Sequence, residues 1–217
     1  NYNEGNWWVQ DLSSMLPIYL SLEIKSKKIM DMCSAPGGKA FQILSKGNEV
    51  VMNDISEKRI KILKNNLNRL NFISNISNLD ALNLSEKELY DIVILDSPCS
   101  GIGTARRNPE ILFKKEPPKF DYLIKTQKGL INKAAKLLKK KGMLIYMVCS
   151  FFYEETKTIK DNFLSEHKNF SHHKYKLDKN NEFNKFIDSD GDFYTLPSEY
   201  KGYMIDGFYA TKFIKND

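Results

Sequence analysis

The sequence has little of what marks a secreted or membrane-anchored protein. Its 217 residues include only three cysteines, Cys33, Cys99 and Cys149. An odd, small number argues against a disulfide framework and for a reducing, intracellular setting, cytoplasm or nucleus/nucleolus. The cysteine spacing fits no zinc motif. The three histidines, His167, His172 and His173, lie late in the chain without an acidic partner at ligand spacing, so no metal site is expected. No stretch approaches the ~20 apolar residues that cross a bilayer, so no membrane partner is expected. No charged-then-apolar leader opens the chain. It begins Asn1-Tyr2-Asn3 without an initiator Met and reads as a piece of a longer protein.

Positive charge, by contrast, is present. The formal net charge is +6. A basic surface suits a polyanion such as nucleic acid, although a Lys- and Asn-rich composition accounts for the charge equally well. The length suits one domain over residues 1–217, with 1–24 as a lead-in. A monomer is the default expectation.

Periodicity alternates strands and helices. Lys28–Cys33 reads as a strand, Ser34–Lys39 as a turn, and a helix runs to about Leu44. Glu49–Asp54 is a second strand. Ile60, Leu63, Leu67 and Leu70 fall at helical spacing. Ile73–Asp80 is a weaker third strand. The apolar run Asp91–Asp96 has the pattern of a strand buried on both faces. A helix is expected from Leu123 to Lys140, ended by Lys141-Gly142. Met143–Cys149 is another buried strand, followed by a helix from about Glu154 to Leu164. Two late strands close the chain, the last at Gly207–Phe213. The polar stretch 176–198 reads as an insertion or loop. Repeated strand-helix units imply a doubly wound α/β fold.

All three cysteines then stand at the C-terminal ends of expected strands, the edge where open parallel sheets bind ligands. The turn Ala35-Pro36-Gly37-Gly38-Lys39 allows close backbone approach and opens a helix with free N–H groups. Asp54 ends the second strand, about 20 positions on, where an acid binds ribose hydroxyls. It serves equally as a cap for the helix starting near Ser56. Asp96-Ser97-Pro98-Cys99 places a thiol directly after a rigid Pro, and Asp96 is suited to a nucleobase edge or to an Asx turn. Cys149 adds a second thiol if its strand neighbours that of Asp96, with Glu154-Glu155 following.

These residues resemble the Sun-type (RsmB/Nop2/Sun) RNA cytosine-5 methyltransferases. The resemblance runs from Trp8-Val9-Gln10-Asp11-Leu12-Ser13-Ser14 to Asp206-Gly207-Phe208-Tyr209. It is carried by Asp31–Lys39, by Asp96–Gly103, by Tyr146–Ser150 and by Arg106-Arg107-Asn108-Pro109-Glu110-Ile111. It implies a Rossmann-like class I S-adenosylmethionine-dependent methyltransferase fold, mostly parallel with an antiparallel C-terminal strand. It implies S-adenosyl-L-methionine as cofactor, rRNA or tRNA as partner, and an N-terminal RNA-binding region lying outside this sequence. Residue by residue, it implies a cofactor loop of Cys33, Ser34, Ala35, Pro36, Gly37, Gly38 and Lys39. Asp54 would hold the ribose, with Arg59 and Asp80 among the cofactor residues and Asp80 near the adenine. Asp96 would touch the cofactor site and the cytosine ring nitrogen. Cys149 would be the nucleophile, Cys99 the group that aids product release, and Lys39 would reach the active site. Val148, Tyr153, Thr156, Ser34 and Ser97 depart from the family pattern, and Val148 puts a hydrogen bond near the nucleophile in question.

Two other readings compete. In a DNA cytosine-5 methyltransferase the Pro98-Cys99 turn would carry the nucleophile and Cys149 would be dispensable. An RNA-binding factor with a vestigial pocket would bind cofactor without turnover. Among weaker features, Arg106 and Arg107 are candidate RNA contacts, whereas the lysines of 133–141 suit a solvated helix face. Trp7 and Trp8 suit packing over the sheet.

Overall fold

The computed structural model describes residues 1–21, 27–113 and 119–217. The end of the lead-in, residues 22–24, lies outside them. Five parallel strands form the heart of the fold: β1 (Lys28–Asp31), β2 (Glu49–Asn53), β3 (Asn75–Ser77), β4 (Tyr90–Asp96) and β5 (Leu138–Val148). Their spatial order is β3-β2-β1-β4-β5. The chain thus winds outward from β1 and returns beside it as β4, which creates a switch point where ligands bind. The last strand, β10 (Phe208–Lys215), runs antiparallel to β5. Two short strands, β6 (Phe170–His172) and β7 (Phe193–Thr195), pair with β10. A separate hairpin joins β8 (Ser198–Tyr200) to β9 (Tyr203–Ile205).

The helices are α1 (Leu12–Tyr19), α2 (Gly38–Leu44), α3 (Glu57–Arg69), α4 (Phe120–Lys136) and α5 (Lys157–Glu166). Asp11 caps α1 by accepting from the Ser13 amide, and Ser56 caps α3 by accepting from the Arg59 amide; each satisfies an otherwise orphaned helix donor. Successive β4 side chains alternate between two cores, as the pleat requires. Ile92 and Ile94 join α2 and α3, whereas Val93 and Leu95 join α4. Both faces are therefore covered, as expected for a parallel sheet.

Five late strands, β6 to β10, stand where two were expected, because short segments pair along β10 and in a separate hairpin, and three further features differ from the sequence reading. First, α4 stops at Lys136 and β5 begins at Leu138. Leu138 is fully buried and pairs with Tyr90, so burial draws this segment into the sheet. Lys141 takes φ 61° beside a register shift between Tyr90 and Ile92. The Lys141-Gly142 pair therefore marks a strand irregularity and not a helix end. A Cβ on Gly142 would lie 2.8 Å from the Lys139 carbonyl oxygen. Second, β3 is only three residues long, because few side chains there are apolar. Third, the polar stretch 176–198 contains β7 and a 3-10 turn at Glu182–Phe186. Of its four aromatics, Phe186 and Phe193 are buried beside Tyr175 and Tyr200, and Phe183 and Tyr194 are half-buried.

Candidate active site

The turn after β1 is built for close packing. Gly37 takes φ 114°, and a Cβ there would overlap the rings and methyls of Phe41 and Leu63. Only glycine meets both demands. The Ala35–Pro36 peptide is cis. Asp54, just past β2, accepts from the Ala35 amide (3.1 Å) and the Ser56 amide (2.9 Å). Arg59 pairs with Asp54 at 3.2 Å and donates to the Ala35 carbonyl. The observed contacts of Asp54 are those of the capping reading. It braces the helix entry and still faces the cavity.

Beneath this turn, Asp31 is buried. One of its oxygens accepts from Ser34 Oγ at 2.9 Å, and the other, Oδ1, has no partner among the described residues. Burial pushes its pKa up to about 7, since a low-dielectric setting disfavours the charge. Asp80 sits past the end of β3, where its side chain caps the short turn Ala81–Asn83.

The second part of the site forms where β4 and β5 end side by side. Asp96 stands opposite Met147 in the register. The Lys39 ammonium lies 2.6 Å from Asp96 Oδ2, 3.2 Å from Ser14 Oγ, and over the Phe208 ring. Cys99 and Cys149 converge from their two loops, sulfur to sulfur at 3.3 Å. Their proton affinities are driven apart. The hydrogen bond to Cys149, with burial, pushes the Cys99 thiol up. The same hydrogen bond holds the Cys149 thiol below its ordinary value, against burial and the Asp96 charge. Thiolate character at Cys149 is what nucleophilic chemistry requires. Cys33 is pushed up by burial and by the nearby carboxylates, as suits an unreactive thiol. Val148 is fully buried beside Tyr146 in the α4-side core, so its departure from the family pattern fills packing space.

A cavity of about 770 Å³ joins these parts, with Cys33, Asp54, Asp80, Asp96, Cys99 and Cys149 in its wall. Arg59 also lines it, and the face of α4 supplies Tyr122 and Thr126. From the loop Cys33–Lys39, Cys33 forms part of this wall. Ser34, Ala35 and Gly37 are buried, Gly38 is half-buried, and Pro36 faces solvent.

Several contacts were not foreseen. Glu155, fully buried, accepts from the Ser100 amide, Ser100 Oγ and Gln127 Nε2. The Glu154-Glu155 pair gave a signal for a carboxylate, but nothing in sequence singled out Gln127. Arg106 and Arg107, expected as RNA contacts, both bind the buried Asp206 (3.1 and 2.5 Å), and Arg106 also reaches Asp11. Their first duty is to tie the loop after β4 to the start of β10. His172 does have an acidic partner, Asp192, at 2.8 Å; the strand pairing of β10 brings them together across 20 residues. Asp188, Asp190 and Asp192 gather their carboxylates, and the Lys157 ammonium binds all three at 2.5, 2.6 and 3.1 Å. Trp7 is half-exposed against Tyr2, and Trp8 packs on Phe41.

Comparison with known proteins gives a consistent result. The family model described as 16S rRNA methyltransferase RsmB/F matches residues 18–214. Ribosomal RNA small subunit methyltransferase B of Photorhabdus laumondii is 35% identical over 171 residues, covering 76% of this chain and 40% of that protein. Ribosomal RNA small subunit methyltransferase F of Shewanella piezotolerans is 35% identical over 169 residues, covering 73% and 35%. The chain therefore spans well under half of these relatives. NSun6 from Pyrococcus horikoshii, solved with SFG, superposes with a TM-score of 0.82 at 26% identity, over 100% of this chain and 55% of that one. N-methyltransferase NodS of Bradyrhizobium japonicum (TM-score 0.60, 12% identity, 93% and 85% coverage) shares the fold. The fold is thus the Rossmann-like class I methyltransferase fold. No helix among the described residues is long and apolar enough to cross a membrane.

Proposed function

Because the chain belongs to the RsmB/F family of 16S rRNA methyltransferases, we propose that it methylates carbon 5 of cytosine in RNA, using S-adenosyl-L-methionine. Residues 1–217 act as its catalytic domain. The observation that carries this reading is the pair of thiols 3.3 Å apart, facing a cavity beside the Lys39–Asp96 pair. A small-subunit rRNA is the substrate that the relatives' names favour over tRNA. Such a substrate places the protein inside the cell.

The chemical character of the cavity supports the cofactor. Asp54, Asp80 and Asp96 line it, and the buried Asp31 has an unpartnered oxygen nearby. Carboxylates only accept, and the cofactor offers ribose hydroxyls, amino groups and a cationic sulfur. Asp54 and Arg59 would hold its ribose end, Asp80 its adenine, and the turn Cys33–Lys39 its methionine end. When bound, it supplies an electrophilic methyl group.

The chain's own groups do the rest. Carbon 5 of cytosine is a poor nucleophile. Attack of the Cys149 thiolate on carbon 6 forms a C–S bond and moves the ring electrons toward carbon 5. The negative charge that develops on the ring is met by the Lys39 ammonium, 2.6 Å from Asp96 Oδ2; through Asp96 it lends the ring nitrogen a proton and takes it back after methyl transfer. Once Cys149 is a neutral thioether, the anion that held the Cys99 proton is gone. Cys99 releases that proton to solvent and then takes the one on carbon 5. The C–H electron pair restores the ring double bond and expels Cys149 as thiolate. One proton is released per turnover, and both sulfurs return to their starting states. The target base must leave its stack to enter the cavity.

The test uses a transcript pool, labelled cofactor and denaturing gels, with Cys99→Ala and Cys149→Ala beside the unaltered chain. A slow-migrating RNA adduct in Cys99→Ala alone, with no label transfer in Cys149→Ala, is expected. An adduct in Cys149→Ala alone would reverse the two roles and favour the DNA-type arrangement.

A further inference from the structure

Glu155 is a fully buried carboxylate that takes no part in the chemistry above, yet it lies directly behind Cys99. Its Oε1 accepts from the Ser100 amide at 2.8 Å and from Gln127 Nε2 at 3.0 Å. Its Oε2 accepts from Ser100 Oγ at 2.6 Å. Gln127, also fully buried, spends the same Nε2 on the Pro98 carbonyl oxygen at 3.0 Å. The backbone is therefore held on both sides of Cys99, at residue 98 and at residue 100. The Glu155 main chain is fixed in turn, because its carbonyl accepts from the buried Tyr146 hydroxyl at 2.8 Å.

A buried charge placed here is costly unless it is hydrogen-bonded, and an apolar residue of similar size would fill the space without that cost. Three donors meet the carboxylate, and among the described residues no cation pairs with it. Its negative charge is thus left to act on its surroundings. The charged and titratable groups facing the two thiols are Glu155 and Tyr146 on the Cys99 side, and Lys39, Asp96 and Arg107 on the Cys149 side. The two sides are unlike. The carboxylate facing Cys99 has no cation partner among the described residues, whereas the Asp96 carboxylate facing Cys149 is paired with the Lys39 ammonium and accompanied by the Arg107 guanidinium.

We infer that Glu155 is a positioning residue, which with Gln127 clamps the Cys99 turn and fixes Cys99 as the proton-bearing partner of a Cys149 thiolate. The inference rests on the assignment of Cys149 as nucleophile. The Cys99 thiol, pushed up by its hydrogen bond with Cys149 and by burial, with the Glu155 charge a smaller cause, agrees with it.

The test needs neither RNA nor cofactor. The native chain is alkylated with iodoacetamide to low conversion at neutral pH, and the label at each cysteine is mapped by mass. The unaltered chain is expected to label Cys149 over Cys99. Glu155→Gln keeps the shape and removes the charge, and should lower that ratio about tenfold, what one pKa unit is worth. Ser100→Ala loosens the clamp and leaves the charge, and should lower it about threefold, a modest net hydrogen bond. A purely structural role would change both labelling rates together and leave the ratio alone. An unchanged ratio in both variants would overturn the inference, and Ser100→Ala decides by itself if Glu155→Gln fails to fold. A preference for Cys99 in the unaltered chain would instead overturn the nucleophile assignment, and the inference with it.

Discussion

Cys99 and Cys149 hold their sulfurs 3.3 Å apart across 50 residues of sequence. The closeness follows from strand order. β4 and β5 are parallel neighbours with Asp96 opposite Met147, and each cysteine follows the end of its own strand. Neither thiol has its properties alone, because each is the largest influence on the other.

The first prediction concerns pH. Cys149 is held below its ordinary value chiefly by the hydrogen bond from Cys99, so its thiolate persists at lower pH than an isolated thiol's. In Cys99→Ala that donor is gone, and the midpoint for alkylation of Cys149 should rise by about one pH unit, the lower range for a hydrogen bond to a charged group. The rate of iodoacetamide labelling at Cys149, followed from pH 6 to 10, measures it. A midpoint that stays put or falls would show that Cys99 does not stabilise the thiolate.

Gly103 supports the same loop from behind. Its amide donates to the Cys149 carbonyl, and its own carbonyl accepts from the Gly207 amide. A Cβ there would overlap the Gly207 carbonyl and come within 3.0 Å of the Cys149 carbonyl. Both obstacles are backbone, so the loop itself must move. Gly103→Ala should lower the melting temperature and reduce methyl transfer more than 10-fold, the scale expected when a reacting group is misplaced by about an ångström. Transfer at the unaltered rate in a folded Gly103→Ala would mean that the loop yields freely.

How much of this was readable beforehand depends on range. β1, β4 and the second half of β5 are short apolar runs closed by turn residues, and those runs are local, so the doubly wound core was legible. The thiol pair was legible for the same reason, since Cys149 directly follows β5 and Cys99 comes three residues after the end of β4. The α4–β5 junction was not. Leu137 and Leu138 continue the helical pattern of α4, and only pairing with Tyr90 draws Leu138 into the sheet. Gln127 meets Glu155 across 28 residues, and Asp206 meets Arg107 across 99. No period or spacing encodes such contacts. They arise once helix and loop have docked on the sheet.

Asp206 provides a stability test. It is buried, binds both Arg106 and Arg107, and its amide donates to Asp11. The arginines remain part-exposed and can rehydrate, which limits the cost of losing their partner. Asp206→Ala should therefore destabilise by about 1–3 kcal/mol, the cost of breaking a hydrogen-bonded charge. Urea unfolding measures it. The same variant frees the Arg107 guanidinium and leaves Arg106 with Asp11 alone. If they serve RNA as well as structure, its affinity for RNA at low salt will be retained while stability falls; joint loss would tie RNA binding to the intact network.

Asp31 gives the last test, and its sign is unusual for a carboxylate. Burial raises its pKa from 3.8 to about 7, so the folded protein holds a proton that the unfolded chain releases. Stability from this group is complete below pH 3.8 and declines as pH rises from about 4 to about 7. Asn at this position cannot titrate. The stability of the unaltered chain relative to Asp31→Asn should fall across that window, by on the order of 1 kcal/mol per pH unit. Denaturant unfolding at pH 4, 5.5 and 7 measures the difference. The window also bears on the cofactor. A ligand ammonium reaching the unpartnered Oδ1 would favour the ionised form, lower the pKa and cancel much of the decline. Saturating S-adenosyl-L-methionine should accordingly flatten the pH dependence of the unaltered chain and leave that of Asp31→Asn as it was. A decline that survives saturation would place Asp31 outside the cofactor's reach and leave its buried carboxyl as a property of the fold alone.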